Sequence, residues 1–244
     1  MKYLSFIIFF FNLMSLSAQT AEEIIYKMEH NESFSSIYYE GVMSIHRGKN
    51  RPVSVKTFKV FSSGKDRTFI EFTNPADRGT KYLKIKDELW IKGPYAEEAT
   101  KISGHLLREN MAGSDFSYED ALENEKLLEL YEPYIEKEEI VNERNCYRIV
   151  LKSKIKNISY PKRIVWVDKE KFFPVKVELY ALSGVLLKEM NVVETLDISG
   201  YTLPVKIRME NKQRIDNWTF FEMKSVKINI PLDSKLFSKQ QLER

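Results

Sequence analysis

The sequence predicts a mainly β protein in which antiparallel strands form one sheet that curls into a barrel or half-barrel. From Ile37 onward, apolar and polar residues alternate with a period of two in about eleven segments. Short turn signals such as Ser183-Gly184 and Ser199-Gly200 separate many of them. A flat sheet of this size would leave one apolar face in water, so the sheet must curl or be covered. The predicted strands are 37–46, 53–61, 67–73, 81–86, 88–92, 145–153, 162–168, 173–180, 185–195, 203–210 and 218–228.

Several predicted strands carry bulky side chains on both faces. Trp166 lies between Val165 and Val167, and Phe69 lies beside Ile70 and Phe72. Successive side chains of a strand point to opposite faces of the sheet. One face would therefore line the interior, and the other must lie under a helix or a loop.

Two capping boxes predict the helices. Thr20, followed three residues later by Glu23, predicts an amphipathic N-terminal helix that ends within residues 31–34. Ser117 with Asp120 predicts a short helical lid. The spacing of the apolar residues that follow fits either a helix or a strand, and the sequence leaves this open: Leu127, Leu128, Leu130 and Tyr131.

Residues 1–19 have the pattern of a secretory signal peptide. Lys2 precedes an apolar run over residues 3–16, and the small residues Ser17 and Ala18 follow. The run is shorter than the roughly 20 residues that cross a bilayer. No cysteine lies near the cleavage site, so we expect a periplasmic protein without a lipid anchor, with residues 20–244 as a single domain.

Composition excludes several classes of function. The net charge is +3 and no block of like charge is long, so nucleic-acid binding is not expected. Cys146 is the only cysteine, which rules out an intramolecular disulfide and favours a small packed side chain over a reactive thiol. The acidic stretch 119–143 is interpreted as a solvated face, with a docking surface for a basic partner as the alternative.

No motif indicates catalysis or a metal site. The three histidines, His30, His46 and His105, lack metal-binding spacing. The segments 103–105 and 113–115 contain serine beside histidine or aspartate, but both are typical of turns and caps. We therefore expect no catalytic residue, no metal and no cofactor.

Two phrases of the sequence resemble a known family. They are Asn74-Pro75-Ala76-Asp77-Arg78-Gly79-Thr80-Lys81-Tyr82-Leu83 and Gly113-Ser114-Asp115-Phe116-Ser117-Tyr118-Glu119-Asp120. Both resemble the outer-membrane lipoprotein-sorting proteins, which are similar to the periplasmic carriers LolA and LolB. The resemblance implies a half-open antiparallel β-barrel, partly closed by helices, whose apolar interior shelters acyl chains. We also expect a monomer that passes its cargo to an outer-membrane acceptor, and the sequence leaves open whether an inner-membrane exporter loads it.

Candidate residues follow from the resemblance and the strand pattern. The candidate cavity walls are Phe58, Val60, Ile70, Phe72, Leu83, Trp90, Met111, Phe116, Tyr147, Ile149, Trp166 and Val177. Because one sequence does not fix which face of a strand points inward, half of these can point outward. The candidate rim and lid residues are Arg78, Gly79, Gly113 and Asp115. Arg78 would contact a cargo head group or a membrane phosphate, or would instead pair with Asp77 or Asp115.

Three functions remain open at this point. The first is a carrier of acyl chains, and the second is a lipoprotein-sensing or exporter-accessory module of the same fold. The third is a lipid-modifying enzyme, with Ser114 or His105 as the residue to test. Without the resemblance, the aromatic residues would be interpreted as the filling of an ordinary core.

Overall fold

The computed structural model describes residues 19–31, 33–123 and 127–244. The predicted signal peptide, apart from Gln19, lies outside the described residues. The described chain forms one antiparallel sheet of 13 strands with four short α-helices. Among these residues, no helix is both long and apolar enough to span a membrane.

The strands are β1 (Ser36–Arg47), β2 (Ser54–Ser63), β3 (Arg67–Phe72), β4 (Lys81–Ile85), β5 (Glu88–Lys92), β6 (Thr100–Ile102), β7 (Tyr131–Val141), β8 (Arg144–Ser153), β9 (Lys162–Asp168), β10 (Pro174–Tyr180), β11 (Leu186–Ile198), β12 (Tyr201–Asn211) and β13 (Asn217–Ile228). The helices are α1 (Ala21–His30), α2 (Tyr118–Glu123), α3 (Leu127–Leu130) and α4 (Lys239–Glu243). Three 3₁₀ turns span Gly104–Arg108, Met111–Gly113 and Ser234–Phe237.

The sheet consists of two meanders joined in the middle. Strands β1 to β6 form one half, strands β7 to β13 form the other, and β1 pairs with β13. The strand order places β6 and β7 at the two edges. The sheet therefore curls without closing, and the predicted fold class, a mainly β half-open barrel with an N-terminal helix, is confirmed.

The prediction found eleven strands and missed β6 and β7, which are the two edges. β6 has only three residues, too few to show a period. In β7 the alternation is hidden by Pro133, by several glutamates and by a shift of register between Ile135 and Lys137. Proline, charge and bulges are features by which edge strands avoid pairing with other chains. The acidic stretch thus includes an edge strand whose side chains are mostly exposed.

Both predicted capping boxes are present. The Thr20 hydroxyl accepts a hydrogen bond from the Glu23 amide, and the Glu23 carboxylate accepts one from the Thr20 amide. Helix α1 ends at His30, with Asn31 as its C-cap. Ser117 and Asp120 make the same reciprocal contacts at α2. The sequence left open whether residues 127–131 form a helix or a strand, and they form parts of both: α3 ends at Leu130, and β7 begins at Tyr131.

The two faces of the sheet are covered by different segments. We call the face that packs against α1 and against residues 103–123 the inner face. Ala21, Ile24 and Ile25 of α1 are buried there against strands β7 to β9. On the opposite, outer face, Phe237 and Leu242 near the C-terminus bury Phe69 and Leu83. Cys146 is fully buried in a second outer-face cluster, as the packing interpretation expected.

Candidate functional site

An apolar row crosses the inner face of seven adjacent strands. Each residue lies directly opposite the next one in the sheet, and directly opposite residues share a face. The row runs from β8 to β1 through Ile149, Val165, Val177, Met190, Met209, Thr219 and Ile45. Thr219 is its only polar member, and its hydroxyl has a specific partner described below.

The middle of the inner face is less covered than its two sides. Helix α1 buries the β7 to β9 side, and residues 103–123 bury the β1 to β5 side. Between them, on β10 to β13, Val177, Met190, Ile207 and Phe221 remain partly exposed. We call these four residues the inner strip. The inner strip is an apolar surface of one face, bounded on both sides by segments that pack on the sheet.

Eight of the twelve predicted wall residues lie in the two inner-face clusters. Phe58, Val60, Ile70, Phe72 and Met111 pack with residues 103–123, and Tyr147, Ile149 and Val177 pack with or near α1. A ninth, Phe116, lies edge-on to Phe221 at a ring-centroid distance of 6.3 Å. These nine residues therefore share the inner face.

Three predicted wall residues lie on the outer face. Each directly follows, along its strand, a residue whose side chain points to the inner face. Leu83 is buried with Phe237, and Trp90 packs at the margin of the same cluster. Trp166 donates a hydrogen bond from Nε1 to Glu139 at 2.5 Å, on the outer face of β9. These three side chains cannot line the inner face.

Residues 103–123, which we call the lid segment, are held to the sheet by a buried ion pair. The Asp115 carboxylate accepts hydrogen bonds from Arg47 Nη1 at 2.9 Å and from the Thr219 hydroxyl at 2.7 Å. The Asp115 amide in turn donates to Thr219 Oγ1 at 3.0 Å. The Asp115 side chain has no exposed surface. Arg47 also donates to the carbonyl of Gly113, so both predicted residues of this turn contact the end of β1.

A second buried ion pair holds the lid segment to β11. Lys188 Nζ lies 2.8 Å from the carboxylate of Asp120, and both side chains are about nine-tenths buried. Asp120 also caps α2, so one carboxylate fixes both the start of that helix and its place on the sheet. Burial and, after it, the negative charge of Asp120 raise the pKa of nearby Tyr160, which keeps this phenol neutral.

Further contacts tie the lid segment to both halves of the sheet. The hydroxyls of Tyr118 and Tyr82 lie 3.4 Å apart, and Ser159 donates to the carboxylate of Glu119. Burial and the Tyr118 hydroxyl raise the pKa of Tyr82. The lid segment therefore bridges β1, β4, β11, β13 and the loop between β8 and β9. Any movement of this segment must break several polar contacts together.

The loop of the first family phrase is arranged differently from the prediction. Asp77 pairs with Lys56 Nζ at 2.6 Å and accepts a hydrogen bond from Asn74. Burial opposes ionisation of Asp77, but the hydrogen bonds from Asn74 and Lys56 outweigh it and lower the pKa of Asp77. Arg78 is exposed and pairs with neither Asp77 nor Asp115, so the pairing alternative is wrong. Gly79 adopts a φ of 89°, which favours glycine.

The two segments considered for catalysis are not arranged as a nucleophile and a base. The Ser114 hydroxyl is buried and bonds with backbone atoms of Met111 and Phe116. His105 is exposed in the 3₁₀ turn Gly104–Arg108. In the described parts of the chain, no three histidine, cysteine or acidic side chains are grouped so that they could hold a metal ion.

Two clefts are present away from the inner strip. One, of about 260 Å³, lies at the turn between β12 and β13 and is lined by Arg208, Lys212, Arg214 and Trp218 among others. The other, of about 200 Å³, lies beside Cys146 and Lys169. None of the predicted wall residues lines either cleft. The nine wall residues of the inner face instead pack against one another, α1, the lid segment and Phe221.

Comparison with known proteins identifies the family. A family model described only as an uncharacterized protein matches residues 64–244. The chain belongs to this family and has the fold of the LolA superfamily. The resemblance drawn from the two phrases is therefore confirmed. No curated protein of known function matches the sequence.

Three solved structures share the fold over nearly the whole chain of this LolA-like protein. A DUF1329 family protein from Desulfovibrio piger has a TM-score of 0.81 at 24% identity, covering 91% of this chain and 97% of its own. An outer membrane lipoprotein-sorting protein domain from Vibrio parahaemolyticus has a TM-score of 0.80 at 24% identity, with the same coverage. A LolA superfamily protein from Nitrosomonas europaea has a TM-score of 0.76 at 22% identity, covering 92% of this chain and 100% of its own.

Sequence reasoning missed several residues of this candidate site. Three unpredicted residues that hold the lid segment are Arg47, Lys188 and Thr219, and the unpredicted members of the inner strip are Met190, Ile207 and Phe221. The alternation of β11 to β13 marks the last three as apolar, but gives no sign of which face they share. No local signal links Arg47 to Asp115, because 68 residues separate them.

Proposed function

We propose that the protein is a non-enzymatic periplasmic carrier that binds the acyl chains of lipoproteins or lipids and passes them towards the outer membrane. The observation that supports this most directly is the inner strip, a partly exposed apolar surface between α1 and the lid segment. Apolar area removed from water contributes about 25 cal/mol per Å², so an acyl chain laid on the strip would be stabilised without any specific polar contact.

The lid segment gives the carrier a closed and an open state. In the closed state, Asp115 and Asp120 hold the lid segment through buried ion pairs with Arg47 and Lys188. The wall residues under the lid segment, among them Phe58 and Phe72, are then packed and unavailable to a ligand. We propose that acyl chains enter when the lid segment moves away, which extends the inner strip over the β1 to β5 side.

Each buried methylene contributes about 0.8 kcal/mol, so a long acyl chain bound in this way would leave slowly into water. The carrier would therefore release its cargo to an acceptor in contact with the site, and an inner-membrane exporter would load it. We propose that it acts as a monomer formed by residues 20–244, exported by its signal peptide and free of a lipid anchor.

Two neighbouring phenylalanines allow a sharp test. Phe221 belongs to the inner strip, whereas Phe220 lies on the outer face, near His46 and Arg208. We expect F221Q to weaken binding of a fluorescent fatty-acyl probe by about tenfold or more, since an apolar contact surface of that size is lost. F220Q should bind the probe as the unmodified protein does.

Equal loss of probe binding in both variants, with both proteins folded by circular dichroism, would contradict the proposal. Native mass spectrometry of protein purified from its own envelope should also show bound lipid or lipoprotein. A pull-down distinguishes the carrier from the sensing module, because a sensor retains a regulatory membrane partner whereas a carrier retains cargo. Turnover of labelled phospholipid that is lost in S114A or H105A would instead indicate an enzyme.

A further inference from the structure

Four adjacent loops at one end of the sheet combine exposed apolar side chains with basic ones. They connect β1 to β2, β8 to β9, β10 to β11 and β12 to β13, and they comprise residues 48–53, 154–161, 181–185 and 212–216. We call these residues the rim surface. Because all neighbouring strands are antiparallel, the four loops lie at the same end of the strands, side by side along the sheet.

Hydrogen bonds connect neighbouring loops of the rim surface. The Gly48 amide donates to the carbonyl of Asp216 at 2.9 Å, which joins the first loop to the last. The Lys212 amide donates to the carbonyl of Leu187 at 2.8 Å, and Gln213 Nε2 donates to that of Leu186 at 2.8 Å. These bonds join the 48–53 loop to the 212–216 loop, and the 212–216 loop to the start of β11.

Five apolar side chains of the rim surface are exposed, whereas Ile158 and Tyr160 of the same surface pack inward. Ile215 is 91% exposed, and Leu182 is 88% exposed. Val53, Ile155 and Val185 are about half exposed, at 43%, 49% and 47%, so each of the four loops has at least one exposed apolar side chain. Burial of a large aliphatic side chain is favourable by about 1.5–3 kcal/mol, so these positions are costly unless another surface covers them.

Charge on the rim surface is strongly one-sided. It contains six basic residues and one acidic residue. Four of the basic side chains form neither an ion pair nor a side-chain hydrogen bond in the described part of the chain: Lys49, Arg51, Lys156 and Arg214. The cleft of about 260 Å³ opens beside Lys212 and Arg214, and Glu210 and Asp216 also line it.

The opposite end of the same strands lacks both properties. Its turns at residues 64–66, 142–143, 169–173 and 199–200 contain three basic and three acidic residues. Among the described residues of these turns, no large hydrophobic side chain is exposed. The other loops at the rim end, 73–80 and 93–99, have no excess of basic residues. Among the loops and turns compared, only those of the rim surface combine an excess of basic residues with exposed large aliphatic side chains.

We infer that the rim surface docks on an anionic phospholipid bilayer. The basic side chains would face lipid phosphates, while Leu182 and Ile215 would enter the apolar layer just below the head groups, as in interfacial membrane proteins. This inference does not depend on the proposed cargo, because it concerns exposed loops rather than the inner strip. It does place the bilayer next to the lid segment, since Ser159 of the rim surface contacts Glu119.

The test is sedimentation of the purified protein with vesicles of phosphatidylcholine alone or with added phosphatidylglycerol. We expect binding to the anionic vesicles that weakens as salt is raised. The variant L182S/I215S should reduce it by about tenfold or more. The variant K49Q/R51Q should reduce it by about fivefold for each charge removed.

Matched controls come from the other parts of the molecule. I140S removes a side chain that is 72% exposed on the edge strand β7, and K169Q/K171Q removes two basic charges from the opposite end. Both should bind vesicles as the unmodified protein does. F221Q should also keep vesicle binding, even if it loses the acyl probe, which separates this inference from the proposed function. Absence of binding to anionic vesicles, or equal losses in the control variants, would overturn the inference.

Discussion

The aromatic ring of Phe58 lies across the α-carbon of Gly41, its direct neighbour on the adjacent strand. A methyl group at Gly41 would be 2.8 Å from Cδ2 of that ring and closer still to Cε2 and Cζ. The same ring has centroid distances of 5.2 Å to Phe72 and 6.1 Å to Phe221. The missing side chain at Gly41 therefore gives the space in which this aromatic cluster forms, a known use of glycine beside an aromatic residue in sheets.

We expect Gly41→Ala to destabilise the protein by about 1–3 kcal/mol, because the ring of Phe58 must leave its position. Urea unfolding measures the change. Gly93→Ala is the control, since the nearest atom to its new methyl group, Cβ of Ala96, would be 3.8 Å away. Equal stability of the Gly41 variant and the unmodified protein would show that Phe58 moves freely.

Breaking the ion pair between Asp115 and Arg47 should release the lid segment. Asp115→Asn removes one charge from a pair in which the carboxylate is fully buried, and we expect a loss of about 2–4 kcal/mol. Hydrogen exchange should rise mainly in residues 103–123 and less in β8 and β9.

Glu194→Gln is the matched control for that variant. It makes the same chemical change in the exposed pair with Lys206, where a contribution of about 0–1 kcal/mol is usual. If the Asp115 variant raised exchange uniformly over the whole sheet, the contact would stabilise the fold and not the lid segment in particular.

Cys146 should be unreactive in the folded protein. Burial, and then the negative charge of Asp168, raise the pKa of its thiol to about 11, so almost no thiolate is present at neutral pH. A thiol reagent should label it only after denaturation. Rapid labelling of the folded protein at neutral pH would contradict its buried position.

The same thiol makes stability depend on pH. Between the ordinary thiol pKa and about 11, the unfolded chain has lost this proton and the folded chain still holds it, so stability falls as pH rises. The free energy of unfolding should decrease more in the unmodified protein than in Cys146→Ala, by up to about 2.7 kcal/mol for two pH units. Parallel pH profiles of the two proteins would exclude this effect.

Asp77 should stabilise its loop only while it is ionised. Its folded pKa lies below the ordinary value of 3.8, so its contribution is present above that value and is lost as pH falls through the lowered pKa. Asp77→Asn should be less stable than the unmodified protein near neutral pH, by about 1 kcal/mol or less because the group is partly exposed. Urea unfolding should show that the difference in stability between the two proteins is smaller at strongly acidic pH than at neutral pH. If the difference stayed constant, its cause would not be the ionisation of Asp77.

Residue alternation and local hydrogen bonding were enough to predict much of this fold. The capping boxes at Thr20 and Ser117 were predicted correctly because both partners lie within four consecutive residues. Eleven strands were predictable because a buried face imposes a period of two. The two missed strands, β6 and β7, are edges, where that constraint is weakest and proline and charge are favoured instead.

The sequence by itself determined the fold class, the family resemblance and the apolar character of the wall residues. Only the tertiary structure decided that Ile70 and Phe72 face inward while Leu83, Trp90 and Trp166 face outward, because the pairing of whole strands sets which face a residue occupies. It also decided the partners of Asp115, since Arg47 and Thr219 lie 68 and 104 residues away along the chain. Such contacts form only when the curled sheet brings distant strands together beneath the lid segment.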